Sequence, residues 1–209
     1  MKKGIIFDLD GTLVDSLYFW NHIGSTYLKY KGILDDKIDS ETNNMTIEEA
    51  ASYIKNKYNI EESVSYIRMQ INCMIEEQYF HKLNLNEGVI EFVEYFYAHN
   101  YKLIIATDTP KPLAIAILKR FGISEYFIDV ITTIKVKASK DKPNIYDYCC
   151  LRMQLGKEDV VVYEDDNMAI KTLMDANYDV VGYGNNTNAI YKIESFKDEA
   201  SYKMLEKMI

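Results

Sequence analysis

Cysteine is scarce in this chain: three in 209 residues, at Cys73, Cys149 and Cys150. The count is odd, and two of the three are neighbours in sequence and poorly placed to bridge each other. A disulfide framework is therefore excluded, and a reduced, cytoplasmic compartment is expected. Three prolines and nine glycines exclude collagen-like and Pro/Gly-rich low-complexity classes. Basic charge is also in short supply, with 24 Lys+Arg against 32 Asp+Glu and a formal net charge of -8. A general nucleic-acid binder needs a basic surface to displace phosphate counterions, so no nucleic-acid partner is expected. A small anionic ligand stays compatible with that balance, because a bound metal reverses the field within one cleft. Long apolar runs are missing too. After Met1-Lys2-Lys3 the first run extends only from Gly4 to Phe7 before Asp8 interrupts it. That is too short for the apolar core of a signal peptide. No later stretch approaches a membrane span, so no membrane partner is expected.

What is present is enough apolar material, 48% of residues, to bury a sizeable core. The length allows one to two domains. Eighteen tyrosines carry no functional signal and read as amphipathic packing. Continuous apolar runs lie at Gly4–Phe7, Lys102–Thr107, Asp159–Tyr163 and Tyr178–Tyr183, with a weaker one at Ile128–Thr132. Continuity rather than alternation predicts strands covered on both faces. Helical spacing fills the intervals: Val89, Phe92, Val93 and Phe96 in 88–98, and Leu113, Ile117 and Phe121 in 112–121. Segments 143–155 and 167–176 also read as helices. The expected fold is α/β, a Rossmann-like parallel sheet with helices on both faces.

Residues 16–86 break that rhythm. Thr46-Ile47-Glu48-Glu49 is a capping-box pattern, with Ile47, Ala50, Ile54 and Tyr58 on one face behind it. Val64, Ile67, Ile71, Met74, Ile75 and Gln78 trace a second helical face, and Trp20, Ile23, Tyr27 and Tyr30 a third. The expected organisation is a discontinuous core of 1–15 and 87–209, interrupted by a small all-helical domain over 16–86.

The chemistry concentrates where strands end. Phe7-Asp8-Leu9-Asp10-Gly11-Thr12 sets two carboxylates two residues apart beyond a buried strand, at the sheet edge where open α/β folds bind ligands. Carboxylates so close repel unless a cation or hydrogen bonds compensate, and a hard divalent ion such as Mg²⁺ suits oxygen donors. Alone, the same residues describe an ordinary Asp-Gly turn. Thr107-Asp108-Thr109 offers hydroxyls and backbone N–H groups near a helix start, which suits phosphate; alone it is a helix cap before Pro110. Lys140-Asp141-Lys142-Pro143 supplies a cation before another helix, and Glu164-Asp165-Asp166 places three acids at a further strand end. Alone, such lysines are solvated charges and such acids favour a helix N-terminus. Four such signals at one sheet edge weigh more than any one.

Phe7 to Thr12, with Leu13-Val14-Asp15-Ser16 behind it, resembles the first motif of the haloacid-dehalogenase-like superfamily, in its phosphatase and β-phosphoglucomutase-like branch. Thr107 sits where the second motif has Ser or Thr. The third motif, Lys-Pro-x-Pro-Asp-Ile-Tyr, is matched by Lys140 to Tyr146 without its first proline, which leaves Lys140 and Lys142 as alternatives. The fourth, Glu-Asp-Ser-x-x-Gly-Ile, is matched by Glu164 to Ile170, keeping the acids but not the Ser or Gly. The resemblance implies a helical cap inserted after the first strand, closing over the site. It implies a Mg²⁺-dependent phosphatase of a small phosphorylated metabolite acting through an aspartyl-phosphate. Asp8 is then the nucleophile and Asp10 the acid and base. Asp8, the Asp10 carbonyl and Asp165 hold Mg²⁺, with Glu164 behind or linked through water. Thr107, Lys140 and the amides near Leu9 and Asp108 stabilise the phosphoryl oxygens. Two further readings use the same fold: a sugar phosphomutase resembling β-phosphoglucomutase, and a weakly catalytic phosphate-sensing protein. The mutase type carries a His in the first cap helix about where this chain has Trp20, and His22 is two positions off. Tyr18, Trp20 and Asn21 are candidates to face the substrate, Trp20 equally so for the cap core. A monomer or a homodimer is expected.

Overall fold

In the computed structural model, which describes residues 2–185, 187–198 and 202–203, the chain divides into two units. One is Ser16–Lys82; the other joins Met1–Asp15 to Leu83–Ile209. The second crossing falls before 87 because Leu83 is buried and Leu85 bridges Val14, which ties these residues to the first strand's unit. The segment 196–209 is described only at 196–198 and 202–203, where Phe196 is fully buried.

Ser16–Lys82 is helical: α1 (Leu17–Asn21), α2 (Ile23–Tyr30), α3 (Lys37–Thr42), α4 (Ile47–Tyr58) and α5 (Val64–Glu77), the last running into a π-helical turn at Gln78–Lys82. The capping box ahead of α4 forms in both directions. Thr46 Oγ1 accepts from the Glu49 N–H at 3.2 Å, and Glu49 Oε2 accepts from the Thr46 N–H at 2.8 Å. Such a cap stabilises by about 1 kcal/mol. The buried face of α4 centres on Ala51 and Ile54, with Ile47, Ala50 and Tyr58 half-buried beside it. On α5 the buried line is Ile67, Ile71 and Ile75. The stripe from Trp20 to Tyr30 is split at His22, whose φ of -127° leaves the helical region. Its ring Nδ1 sits 2.7 Å from the Tyr18 carbonyl, a local contact that competes with helix continuation.

The other unit carries β1 (Gly4–Phe7), β2 (Lys102–Thr107), β3 (Phe127–Thr132), β4 (Val160–Glu164), β5 (Asp179–Tyr183) and β6 (Tyr191–Ile193). They form one parallel sheet in the order β3-β2-β1-β4-β5-β6. Its helices are α6 (Val89–Ala98), α7 (Lys111–Arg120), α8 (Thr133–Val136), α9 (Asn144–Met153) and α10 (Asn167–Asp175). Neighbours along a strand face opposite ways, and β1 shows both layers. Ile6 joins Ile104, Val162, Ile145, Cys149, Ile170 and Leu173 on one face. Phe7 on the other packs its ring against Phe92, Tyr163 and Phe196. A fully buried Ile such as Ile6 stabilises by roughly 1.5–3 kcal/mol. Chain order reverses on either side of β1, so the carboxyl ends of β1, β2 and β4 open onto one crevice.

Candidate active site

Asp8 stands one residue beyond β1, and its N–H continues the ladder by donating to the Tyr163 carbonyl at 2.9 Å. The chain then folds back at once. Gly11 has φ +88°, a region that disfavours any side chain. The N–H groups of Leu13 and Val14 both donate to the Leu9 carbonyl, at 2.9 and 2.8 Å. Asn86 Nδ2 donates to the Thr12 carbonyl at 2.7 Å and locks the loop from outside. Leu9 buries its side chain completely and so offers the site only backbone.

Three charged side chains meet beyond β1 and β4. Lys140 Nζ is ion-paired with Asp8 Oδ1, and with Glu164 Oε2 at 2.8 Å. All three are at most 6% exposed, so water does little to screen them. Burial pushes the Asp8 carboxyl well above the usual carboxylate range, with the negative Glu164 acting the same way and Lys140 opposing. Burial works to lower Lys140, yet the Asp8 and Glu164 carboxylates hold it well above the usual lysine value. Glu164 is saturated. Its Oε1 accepts from the N–H groups of Asp165 and Asp166, both at 3.2 Å, and its Oε2 accepts from the Tyr146 hydroxyl at 3.2 Å besides Lys140. Asp165 is half-buried, and burial with the neighbouring Glu164 pushes its carboxyl up to about 6, against the hydrogen bond from Thr12 Oγ1 at 2.8 Å.

Carboxylate oxygens of Asp8, Glu164 and Asp165 lie within 4.8 Å of one another. An all-oxygen, anionic donor set matches the preference of Mg²⁺, and the upward pull that Glu164 and Asp165 exert on Asp8 is what a divalent cation would relieve. The residues present therefore fit the ion. Since both Glu164 oxygens are engaged by protein donors, Asp8 and Asp165 are the better-suited direct ligands.

Asp10 is half-buried, and its Oδ2 accepts from Thr109 Oγ1 at 2.5 Å. Thr107 is buried at the end of β2, where its Oγ1 accepts the Thr109 N–H at 3.0 Å. The Asp108 side chain is exposed and turned to Thr133, whose Oγ1 donates to it at 2.7 Å, so only its backbone is free to serve the crevice. Of the two alternative lysines the structure brings Lys140 to Asp8 and leaves Lys142 exposed. Thr12, Asn86, Thr109 and Tyr146 contact this group without having been singled out for it in the sequence. Thr12, Thr109 and Tyr146 lay within the quoted motifs, but their partners are 153, 99 and 18 residues away.

The family model for haloacid dehalogenase-like hydrolases matches residues 5–183, spanning every strand end just described. The chain belongs to the haloacid dehalogenase-like hydrolase family. Within it, the phosphorylated carbohydrates phosphatase of Thermotoga maritima is 28% identical over 189 residues, covering 87% of this chain and 84% of that one. The phosphoglycolate phosphatase of Photobacterium profundum is 26% identical over 196 residues, covering 88% and 85%. Among solved structures, a candidate β-phosphoglucomutase from Thermotoga maritima matches all of both chains with a TM-score of 0.85 at 22% identity, a likeness of fold. This hydrolase has, among its described residues, no helix long and apolar enough to cross a membrane.

Proposed function

We propose that this hydrolase is a Mg²⁺-dependent phosphatase that cleaves a small phosphomonoester through a phosphorylated Asp8. The observation that carries the reading is the buried Asp8–Lys140–Glu164 group at the end of the central strand. It offers a carboxylate oxygen as nucleophile beside a fixed cation that attracts a phosphoryl oxygen. Asp8 attacks phosphorus, while Asp10 gives its proton to the departing alkoxide; Asp10 then takes a proton from the water that releases phosphate. Lys140, the Thr107 hydroxyl and the amides of Leu9 and Asp108 hold the equatorial oxygens, and removing one such donor costs roughly 3–4 kcal/mol of transition-state stabilisation. Mg²⁺, held by Asp8, Asp165 and the Asp10 carbonyl with Glu164 fixing that arrangement, would neutralise phosphate charge as the anionic nucleophile approaches. The names of the two phosphatase relatives support small phosphorylated metabolites, sugar phosphates among them, as the substrate class.

The phosphomutase reading is the weaker one here. The Trp20 indole N–H, at the position where mutases of this type carry a His, donates to the Tyr79 hydroxyl at 3.0 Å, and an indole cannot exchange a proton as an imidazole does. The test is phosphate release from a panel of small phosphomonoesters with and without Mg²⁺, using Asp8→Asn as control. Release should require Mg²⁺ and vanish in Asp8→Asn; undiminished release by that variant would remove Asp8 from the nucleophile's role. Interconversion of sugar monophosphates with little free phosphate would favour the mutase.

A further inference from the structure

The Asp10 carboxylate is met by a residue from the loop after β2, Thr109, whose Oγ1 donates to Asp10 Oδ2 at 2.5 Å. Thr109 is only 4% exposed. Its N–H is fixed on Thr107 Oγ1 at 3.0 Å, and Pro110 behind it, at φ -51°, stiffens the chain. A β-branched side chain held this way has little χ1 freedom, so its hydroxyl is a fixed point against which Asp10 rests.

We propose that Thr109 is a positioning residue that orients Asp10 through both half-reactions, an inference that rests on the phosphatase reading. A hydroxyl carries one hydrogen and two lone pairs. It donates to Asp10 Oδ2 in the carboxylate, and it keeps donating to that oxygen when the acid proton sits on the other carboxyl oxygen, the one that gives it to the leaving group. In the first half-reaction the bond from Asp8 to phosphorus forms, the bond from phosphorus to the leaving oxygen breaks, and the Asp10 proton goes to that oxygen. In the second, the bond from water oxygen to phosphorus forms, a water proton returns to Asp10, and the Asp8–phosphorus linkage breaks. Asp10 alternates between two protonation states while Thr109 keeps one contact in both. A displacement of about 1 Å at such a group costs on the order of 100-fold in rate.

The test compares Thr109→Val, which keeps the shape and deletes the hydroxyl, with Thr109→Ser, which restores it. Two esters are used: the alkyl phosphate best hydrolysed in the panel, and p-nitrophenyl phosphate, whose phenolate departs without needing a proton. Thr109→Val should lower kcat/KM on the alkyl ester by about 10- to 100-fold. On the aryl ester it should leave kcat/KM within about threefold, because that constant reports only the first half-reaction, where proton donation is then dispensable. Thr109→Ser should recover most of the alkyl activity. Equal losses on both esters, no loss at all, or no recovery with Ser would overturn the role. Should Thr109→Val lose the native circular dichroism spectrum, Thr109→Ala gives the same comparison with less bulk. If wild type and Asp8→Asn release phosphate alike, the phosphatase reading itself falls; if Asp8→Asn is dead and Thr109→Val is fully active, only the role of Thr109 falls.

Discussion

Lys140 sits 6% exposed between two carboxylates, a place in which an ammonium is stable only because both partners are there. Lys140→Ala leaves Asp8 and Glu164 facing each other without a cation. In metal-free buffer it should lose roughly 3–5 kcal/mol of stability, and with Mg²⁺ it should release phosphate about a hundred- to thousandfold more slowly. Lys142→Ala, at an exposed position, should stay within about 0.5 kcal/mol of wild type and keep its activity. A larger activity loss at Lys142 would reverse this assignment. Tyr163 presents the opposite imbalance. It is fully buried among Phe7, Phe92 and Phe196, yet among the described residues its hydroxyl has no hydrogen-bond partner. Burial also pushes that phenol well above the ordinary tyrosine range. Tyr163→Phe removes an uncompensated polar atom and should raise stability by about 1 kcal/mol in urea unfolding. A loss of similar size would reveal a partner for the hydroxyl.

Among the elements, those legible in the sequence carry one strong pattern, either an unbroken apolar run or a helical stripe. Ile5, Ile6 and Phe7, or Val160 to Tyr163, are apolar without alternation because helices cover both faces, and that pattern is visible in one dimension. β6 is three residues long and α3 six, too short for any period to register. The break at His22 rests on one side chain meeting the Tyr18 carbonyl, which no stripe of Trp20, Ile23, Tyr27 and Tyr30 could show. The start of α6 depends on Gly88, at φ +84°, where an added Cβ would lie 2.5 Å from the Lys197 nitrogen and 2.7 Å from the Phe196 carbonyl carbon. Gly88→Ala therefore combines left-handed strain with a backbone clash, and should destabilise by roughly 2–4 kcal/mol. A shift in the urea midpoint equivalent to less than about 1 kcal/mol would mean that the chain around 196–197 yields.

For the molecule as a whole, a net charge of -8 sits uneasily with an anionic substrate until the sheet order is considered. With β1 between β2 and β4, residues 8, 107 and 164 stand at or just past the carboxyl ends of adjacent strands, and the stretch after β3 brings Lys140 back to Asp8. Lys140 offsets one of the carboxylate charges of Asp8, Glu164 and Asp165, and a divalent cation held by their oxygens would offset the others, while the rest of the surface keeps its acidic charge. The acids were readable because each group follows an apolar run, and the lysine because it stands before a helix in a matched motif. Thr12 on Asp165 and Thr109 on Asp10 were not, because strands distant in sequence make those pairs, nor was Tyr146 on Glu164, which α9 presents to the end of β4; no local spacing encodes them. The proposed phosphatase turnover depends on a covalent bond at Asp8. It is tested most directly by acid-quenching the enzyme during turnover of a phosphomonoester with Mg²⁺ and mapping its peptides by mass spectrometry. One phosphoryl group should be found on the peptide containing Asp8 and be absent from Asp8→Asn; sustained phosphate release with that peptide never modified, or with the group on another residue, would contradict it.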